Sequence, residues 1–262
     1  MKTIAPQGSA YRGVAVQLDL PVLEAGNEAT ISAPDGTEAA VVLLAGDANV
    51  DGQRRRRSDV FDEPATAVYL PPGTSIEVTA HAHTELALAA TVGGELHAPP
   101  GVAPEIIEPA AVVIHDRGRP GWQRQVHDVI ADHVAAQRLL VGETFNAAGE
   151  WSSFPPHKHD GGDGEPALEE VYYYRFDRRD GFGFQGLYTD AGPGHEATER
   201  AVFLRHGAVV GIPHGYHPVC AAPGYRLYYL WALAPMPGTA RSLALHEDPS
   251  HRWLHELPAA SD

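Results

Sequence analysis

Apolar residues along this chain fall in short runs rather than in long segments with helical periodicity. In the first half these runs, rich in β-branched and aromatic residues, cover positions 11–18, 39–44, 67–70, 75–79, 86–91 and 110–115. Turn-forming pairs such as Asp51-Gly52 and Gly93-Gly94 separate them. Short strands at this spacing predict a β-sandwich or a β-barrel.

The second half repeats the pattern, with runs at 138–145, 171–176, 183–188, 201–204, 208–212 and 227–233. One stretch, 127–136, is a candidate helix. Turns of the form Pro-x-Gly at 71–73 and 213–215 occupy similar places in the two halves. The sequence therefore predicts an all-β protein made of two barrels of similar size, 1–118 and 119–262.

Composition and charge restrict the classes of function expected for this chain. The chain has 262 residues, of which 44% are hydrophobic, enough for a core and for one to two domains. Its formal net charge of −15 opposes nonspecific nucleic-acid binding, which requires Lys and Arg to neutralise phosphates. Cys220 is the single cysteine and has no disulfide partner, and neither a signal peptide nor an apolar run of membrane-spanning length is evident. We therefore expect a cytoplasmic protein that binds neither nucleic acid nor membrane.

Three histidines and a glutamate form the principal candidate site. His157 and His159 stand one residue apart, so on a strand both imidazoles point to one face. Glu170 opens an aromatic, strand-like run, and His217 follows the turn at 213–215. Imidazoles and a carboxylate suit a first-row divalent metal, and their order on short strands resembles the metal site of cupins. Zn²⁺ with open positions fits such a set, as do Mn²⁺ and Fe²⁺.

Neighbouring residues offer alternatives to two of these ligands. Glu169 is adjacent to Glu170, but the strand interpretation favours the residue immediately before Val171. His214 lies inside the turn, where an imidazole more often faces solvent, so His217 is preferred. Glu169 and His214 therefore stay as reserve ligands.

Other clusters of charged residues have simpler interpretations. His81, His83 and Glu85 repeat the alternating pattern, but no later turn and histidine complete the set, so a solvent-facing strand is expected. The basic run at 54–57 is isolated in an acidic chain and is expected to be a solvated loop. Cys220 lies near the last histidine turn in sequence, but no spacing supports it as a ligand.

Several segments of both halves point together to a known family. The most specific are Pro-Pro-His-Lys-His-Asp at 155–160 and Gly-Tyr-His-Pro at 215–218. The first half contributes Tyr-Leu-Pro-Pro-Gly at 69–73, and Arg-Gln-Val-His follows at 124–127. These segments closely resemble the 5-deoxy-glucuronate isomerases of bacterial myo-inositol catabolism, and the resemblance spans nearly the whole chain.

The resemblance implies a bicupin with a metal in its C-terminal barrel only. It also implies an intramolecular oxidoreductase, an aldose–ketose isomerase that converts 5-deoxy-D-glucuronate to 5-dehydro-2-deoxy-D-gluconate. Related uronate isomerases of the cupin class bind zinc through three His and one Glu, which carries over here to His157, His159, Glu170 and His217. The implied partner is a small sugar acid, and barrels with exposed edges also favour a homo-oligomer.

Such an isomerase must move hydrogen between neighbouring carbons, and a divalent cation that binds the carbonyl and hydroxyl oxygens assists this. A general base then shuttles the proton. Strand parity puts Tyr172 and Tyr174 on the same face as Glu170, and Glu143 on the preceding strand is another candidate. A metal-assisted hydride shift would need no base, and the sequence leaves this choice open.

The carboxylate of the substrate should meet a cation. Lys158 and Arg175 are nearest in sequence to the candidate ligands, although strand parity points both away from the metal unless a bulge re-aims them. Arg124 and Arg205 are the other candidates. We expect at least one of the four to line the pocket.

Two other function classes remain in competition. The same ligand set serves cupin oxygenases, and another uronate isomerase is also compatible with it. An isomerase consumes no oxygen, which separates it from an oxygenase. A noncatalytic sugar-binding or storage bicupin is the last alternative, and the four ligands argue against storage.

Overall fold

Mainly antiparallel sheets from the two halves of the chain pack against each other in the computed structural model, which describes residues 1–98, 101–162, 164–191 and 196–258. The strands of the first half are β1 Lys2–Ile4, β2 Tyr11–Arg12, β3 Val16–Asp19, β4 Val22–Leu23, β5 Glu28–Ser32, β6 Ala39–Val50, β7 Gln53–Arg57, β8 Ala67–Leu70, β9 Ser75–Ala80, β10 Thr84–Thr91 and β11 Glu105–Ile107. A short 3₁₀ helix, Pro109–Ala111, follows them.

The second half carries the remaining strands and one further 3₁₀ helix, Pro249–Glu256. Its strands are β12 Val113–Arg117, β13 Arg124–Ile130, β14 Leu140–Asn146, β15 Trp151–Ser152, β16 His157–Lys158, β17 Leu168–Phe176, β18 Phe182–Thr189, β19 Thr198–Arg205, β20 Val209–Ile212, β21 Val219–Ala221, β22 Leu227–Pro235 and β23 His246–Glu247. Among the described residues, no helix has the length and apolar character needed to cross a bilayer.

Strand pairing gives each half its own curled sheets. In the first half the order is β1-β5-β9-β6-β10-β3-β2, with β4, β7, β8 and β11 attached beside this path. In the second half a six-stranded sheet, β12-β13-β14-β22-β17-β20, faces a four-stranded sheet, β15-β21-β18-β19, and β16 pairs with β23. The predicted all-β, two-barrel class is confirmed.

The division of the chain at 118 stays a prediction. Strand pairing switches from the first half to the second before residue 118. β11 pairs with β8 of the first half, whereas β12 pairs with β13 of the second. We propose that the boundary lies in the short segment 108–112, which contains the first 3₁₀ helix.

Strands β17 and β22 are buried on both faces, which explains their nearly continuous apolar and aromatic sequences. Alternate residues point to opposite sides. Tyr172 and Tyr174 pack with Tyr229 in a core inside the second half. Val171 and Tyr173 belong instead to a core that also includes residues of the first half. Alternate side chains along these two strands therefore face the interior of the second half and the first half in turn.

The helix expected at 127–136 is wrong. The segment begins inside β13, which continues to Ile130 and pairs with β12 on one side and β14 on the other. Backbone hydrogen bonds to two neighbouring strands outweigh the helical propensity of the alanines in this segment. Residues 131–136 form turns and irregular structure.

Buried carboxylates of each half are satisfied by groups of the other half. Glu169 of the second half accepts hydrogen bonds from the Tyr11 hydroxyl at 2.9 Å, the Ala15 N–H at 2.6 Å and the Val16 N–H at 3.1 Å. Glu38 of the first half accepts from backbone N–H groups of 137–139. Because buried carboxylates are costly without such partners, the two halves stabilise each other.

The basic run at 54–57 is the strand β7 rather than a solvated loop. Arg54 and Arg56 are exposed and pair with Asp47 on the adjacent strand β6. Arg57 points inward and is 1% exposed, and its guanidinium binds both carboxylate oxygens of Glu143, itself 0% exposed, at 2.7 and 2.9 Å. Alternation along β7 therefore separates a surface pair from a fully buried ion pair between the halves.

Replacing Arg57 with Met should lower the free energy of unfolding by about 3–5 kcal/mol, because Glu143 would stay buried without its charge partner. Arg54→Met is the matched control, since Arg54 is 52% exposed and solvent screens its ion pair, so its loss should cost far less stability. Urea unfolding followed by circular dichroism measures both. Equal losses in the two variants would contradict a structural role for the buried pair.

Candidate metal centre and its cavity

A cavity of about 570 Å³ lies on one face of the six-stranded sheet in the second half. Residues directly opposite each other on neighbouring strands share a face, and Tyr172, Trp231 and Asp128 lie in one such row and all line the cavity. Gly142 occupies the remaining place in that row. A Cβ atom there would meet the Trp231 ring at 2.1 Å, so the glycine makes room for the indole.

Three imidazoles converge beside this cavity. His157 lies on β16, His159 follows directly after it, and His217 comes after the turn at the end of β20. One potential ligand atom from each imidazole lies within 4.8 Å of those of the other two. His159 is 8% and His217 1% exposed. The side chains that sequence reasoning singled out as a histidine set are therefore brought together.

The turn before His217 is tied to the histidine pair. Gly215 has φ +91°, and a Cβ atom there would meet the Tyr188 carbonyl oxygen at 2.6 Å, so glycine is required. The Gly215 N–H also donates a hydrogen bond to Asp160 Oδ1 at 2.9 Å. Asp160 directly follows His159, and this bond holds the two histidine segments in a fixed relation.

Glu170, the third residue of the buried strand β17, lies against the cluster. Its Oε2 lies 3.3 Å from His217 Nε2, and both atoms are buried without a hydrogen-bond partner. Buried polar atoms are nearly always paired, so an unpaired nitrogen and oxygen facing each other indicate a missing group. A cation is the group that would accept lone pairs from both.

Backbone carbonyls set the tautomers of two imidazoles. His159 Nδ1 lies 3.1 Å from the Ala244 carbonyl oxygen, and His217 Nδ1 lies 2.9 Å from the Gly215 carbonyl oxygen. A carbonyl can only accept, so each Nδ1 carries the proton and each Nε2 keeps its lone pair. Such backbone support is typical of histidines that bind metals.

Burial keeps the imidazoles neutral. It lowers the pKa of His217 to about 3, and it lowers the pKa of His157 well below its ordinary value, with the neighbouring imidazoles adding to the effect. The pKa of His159 is lowered for the same reason. Burial raises the pKa of Glu170 to about 8. Neutral imidazoles beside a desolvated carboxylate suit a divalent metal, whose charge would offset the cost of ionising Glu170.

The reserve ligands lie elsewhere. Glu169 points to the opposite face of β17, where Tyr11 and the N–H groups of Ala15 and Val16 occupy its carboxylate. His214 is exposed at the tip of its turn. Neither side chain is directed into the cluster.

The three candidate general bases lie in different surroundings, and one of them lines the cavity. Tyr172 lines the cavity, and its hydroxyl lies 3.3 Å from Ser153 Oγ. Tyr174 is fully buried and its hydroxyl donates to Gln185 Oε1 at 2.9 Å, away from the cavity lining. Glu143 also lies outside the lining, because Arg57 holds its carboxylate on the far side of the sheet. The position of Glu143 therefore does not suit a base for a substrate in this cavity.

The four candidate cations for the substrate carboxylate also lie in different surroundings, and one of them lines the cavity. Arg124 lines the cavity and donates to the carbonyl oxygen of Phe154 at 3.1 Å. Arg175 lies on the opposite face of β17 and pairs with Glu85 of the first half. Lys158 pairs with Asp160 and Glu165, and Arg205 stacks on Phe203, and neither belongs to the cavity lining.

The remaining clusters do not form a second centre. His81 and His83 are exposed in the turn between β9 and β10, rather than on a strand face, and His83 pairs with Glu24 and Glu85. Cys220 lies on β21, and burial raises the pKa of its thiol. In the described part of the chain, the three imidazoles at 157, 159 and 217 form the metal-type cluster.

Sequence reasoning missed the wall of the cavity supplied by the C-terminal segment. Glu247 on β23 and His255 in the second 3₁₀ helix both line the cavity, and their side chains meet at 2.7 Å. Arg117 on β12 lines it too. A two-residue strand far along the chain has no hydrophobic pattern, so no sequence signal connected Glu247 with the histidines.

Two antiparallel barrels in one chain, with imidazoles clustered in one of them, define the two-barrel cupin class. The crystal structure of the Lactobacillus farciminis oxalate decarboxylase superposes with a TM-score of 0.62 over 94% of this chain and 82% of that chain. Its sequence identity of 14% supports the fold alone.

The chain belongs to the KduI/IolB family, whose sequence model matches residues 3–254. An IolB-like protein from Salmonella typhimurium is 33% identical, with a TM-score of 0.79 over 92% of this chain and 90% of that one. A protein named 5-deoxy-glucuronate isomerase from Geobacillus kaustophilus is 37% identical over 234 residues, covering 86% of this chain and 80% of the relative. The protein of the same name from Bacillus subtilis is 35% identical over 204 residues, covering 76% of this chain and 71% of the relative.

Proposed function

We propose that this protein is a metal-dependent aldose–ketose isomerase that converts 5-deoxy-D-glucuronate to 5-dehydro-2-deoxy-D-gluconate in inositol degradation. The observation that carries the proposal is the convergence of three neutral imidazoles and Glu170 beside a cavity of about 570 Å³. The substrate follows from the names of relatives up to 37% identical, and the cavity volume suits a six-carbon sugar acid.

We assign His157, His159, His217 and Glu170 as the metal ligands. Neutral imidazole nitrogens with one carboxylate are compatible with zinc, manganese and iron, and we propose Zn²⁺, which tolerates four protein ligands and an open position. When bound, the cation supplies a Lewis acid that polarises the carbonyl and neighbouring hydroxyl oxygens of the sugar. The fixed tautomers of His159 and His217 favour this assignment, because each leaves the lone pair of Nε2 free to bind a cation.

Arg124 is our candidate for the substrate carboxylate. Burial lowers the pKa of its guanidinium and the nearby charge of Arg117 acts in the same direction, yet arginine stays protonated in proteins. Arg117 lies directly opposite Arg124 on β12, and both line the cavity. An anion beside this pair would offset the repulsion between the two guanidinium groups.

Tyr172 positions the substrate rather than removing its proton. Burial raises the pKa of its hydroxyl well above the ordinary value, with the Glu170 carboxylate adding to the effect. The hydroxyl therefore keeps its proton at neutral pH and can donate a hydrogen bond to a sugar oxygen in the cavity. Tyr174 supports Tyr172 from behind, with ring centroids 5.9 Å apart.

The cellular setting is part of the same proposal. A sugar acid of inositol degradation and a single cysteine suit the reducing cytoplasm. The acidic composition does not favour nucleic acid as a partner, and exposed edge strands such as β19 offer a surface for a homo-oligomer.

The assay that tests the function is anaerobic ¹³C NMR of the zinc-loaded protein with 5-deoxy-D-glucuronate. We expect the C1 signals of the aldose to disappear while a ketone carbon grows, and a His157→Ala control should leave the substrate unchanged. An intact protein that leaves the sugar unchanged but takes up oxygen on admission of air would indicate a cupin oxygenase instead.

Replacing His217 with Ala should weaken zinc binding by more than about 100-fold, because a ligand contributes at least as much as the groups that orient it. His214→Ala is the matched control, since His214 is exposed three residues away in the same turn and should keep full metal content. Elemental analysis after dialysis measures both variants. Equal zinc content in the two would remove His217 from the ligand set.

Replacing Arg124 with Met should raise KM for the uronate about 10- to 100-fold, the loss expected for one charged hydrogen-bonding partner. Arg205→Met serves as control, because Arg205 stacks on Phe203 outside the cavity and its loss should leave KM unchanged. The methyl ester of the substrate should distinguish the variants further, since Arg124→Met should no longer prefer the acid. An unchanged KM in Arg124→Met would contradict the assignment.

A further inference from the structure

We infer that Glu247, on the C-terminal strand β23, is the general base that carries the proton between the two reacting carbons. This inference rests on the proposed isomerase function and deepens it. Residues earlier in the chain supply the metal-type cluster, whereas Glu247 comes from the two-residue strand β23 near the C-terminal end and lines the same cavity.

Strand register places Glu247 next to the cluster. β23 pairs antiparallel with β16, and Glu247 lies directly opposite His157. Side chains of directly opposed residues point to the same face, with Cβ atoms about 4.5–5.5 Å apart. Both side chains line the cavity. A sugar whose carbonyl faces the imidazole cluster would therefore have its neighbouring C–H group within reach of the Glu247 carboxylate.

Several contacts hold β23 in this position. The Asp248 N–H donates to the Pro156 carbonyl oxygen at 2.8 Å, and the Tyr188 hydroxyl donates to Asp248 Oδ2 at 2.6 Å. The Ala244 carbonyl oxygen accepts from His159 Nδ1. The segment that carries Glu247 is thus bonded to the residues that carry the imidazoles, which gives the carboxylate the fixed geometry that proton transfer needs.

The other carboxylates of the cavity are less suited to this task. In the described part of the chain, the carboxylate side chains that line the cavity belong to Asp128, Glu170 and Glu247. Glu170 is assigned to the metal. Asp128 pairs with His115 and lies three strands from β17, about 14 Å along the sheet at the usual strand spacing. Glu247 shares one oxygen with His255 Nε2 at 2.7 Å, which leaves its other oxygen available to a substrate.

The proton step balances without a further reactant. Glu247 takes the proton from the hydroxyl-bearing carbon, the electron pair of that C–H bond forms a carbon–carbon double bond, and the π pair of the carbonyl moves to its oxygen, which gives an enediolate. Glu247 then returns the proton to the former carbonyl carbon. The hydroxyl proton passes between the two oxygens, so that the second carbon becomes the ketone. No oxidant or reductant is consumed.

Solvent deuterium tests the inference. The Glu247 side chain is 30% exposed, so a proton held there should exchange with water between the two transfers. The unsubstituted enzyme in D₂O should yield a ketose with deuterium at the former aldehyde carbon, which is C6 of 5-dehydro-2-deoxy-D-gluconate, observed by NMR. Glu247→Gln keeps the shape and the contact with His255 but cannot take a proton, and its kcat should fall about 100- to 10,000-fold with KM and zinc content unchanged.

Two further variants keep the outcome interpretable. Glu256→Gln, at an exposed position of the same C-terminal segment outside the cavity lining, should behave like the unsubstituted enzyme. Glu247→Asp retains a carboxylate one methylene shorter and should keep part of the activity and the deuterium incorporation.

Three results would overturn the inference. Conversion without deuterium in the product would assign the reaction to a hydride shift and leave the isomerase function intact. Full kcat in folded, zinc-containing Glu247→Gln would assign the base elsewhere, with the function again intact. Failure of the unsubstituted enzyme to convert the sugar would remove the proposed function and the inference together.

Discussion

The burial of His217 Nε2 and Glu170 Oε2 without hydrogen-bond partners, beside two further imidazoles, is the constraint on which the rest of the second half depends. Desolvation makes each of these groups costly when alone, and the cost is offset only if a cation occupies the centre. The surrounding contacts serve this arrangement. Carbonyl oxygens fix two tautomers, Asp160 binds the turn before His217, and β23 fixes the strand of His157.

Strand alternation assigns neighbouring residues to two different tasks. Along β17, Glu170 and Tyr172 face the cavity, whereas Glu169 and Arg175 face the first half and bind partners there. The same alternation holds on β14, where the Glu143 carboxylate pairs with Arg57 on the face of the sheet opposite the cavity. The first half therefore stabilises the back of the sheet whose front carries the candidate chemistry. This arrangement explains how a cavity of neutral imidazoles can coexist with several buried ion pairs in one small protein.

Much of this architecture follows from local pattern. Short apolar runs between turns predicted the all-β class, and the strand pattern that begins at Val171 favoured Glu170 over Glu169. The turn at 213–215 favoured His217 over His214 because an imidazole inside a turn more often faces solvent. These predictions depend on backbone geometry, which acts over a few residues and can therefore be recognised in the sequence.

The errors arise where distant segments meet. The segment 127–136 lacks a clear strand pattern, and β13 forms because strands on both sides supply its hydrogen bonds. Strand alternation assigns Glu143 to one face of its sheet. Only the packing of the two halves shows that this face lies away from the cavity. Glu247 lies opposite His157 through a strand of two residues, and such a pairing depends on tertiary contacts rather than on local preference.

The most direct test of a single metal-dependent centre is a titration of the stripped protein. After chelation and gel filtration, zinc is added in steps while the initial rate of ketone formation from 5-deoxy-D-glucuronate is followed under argon. We expect negligible activity at the start, a linear rise, and a plateau at one zinc per chain. A stripped protein that retains its full rate would contradict the assignment of the imidazole cluster as the site of the chemistry.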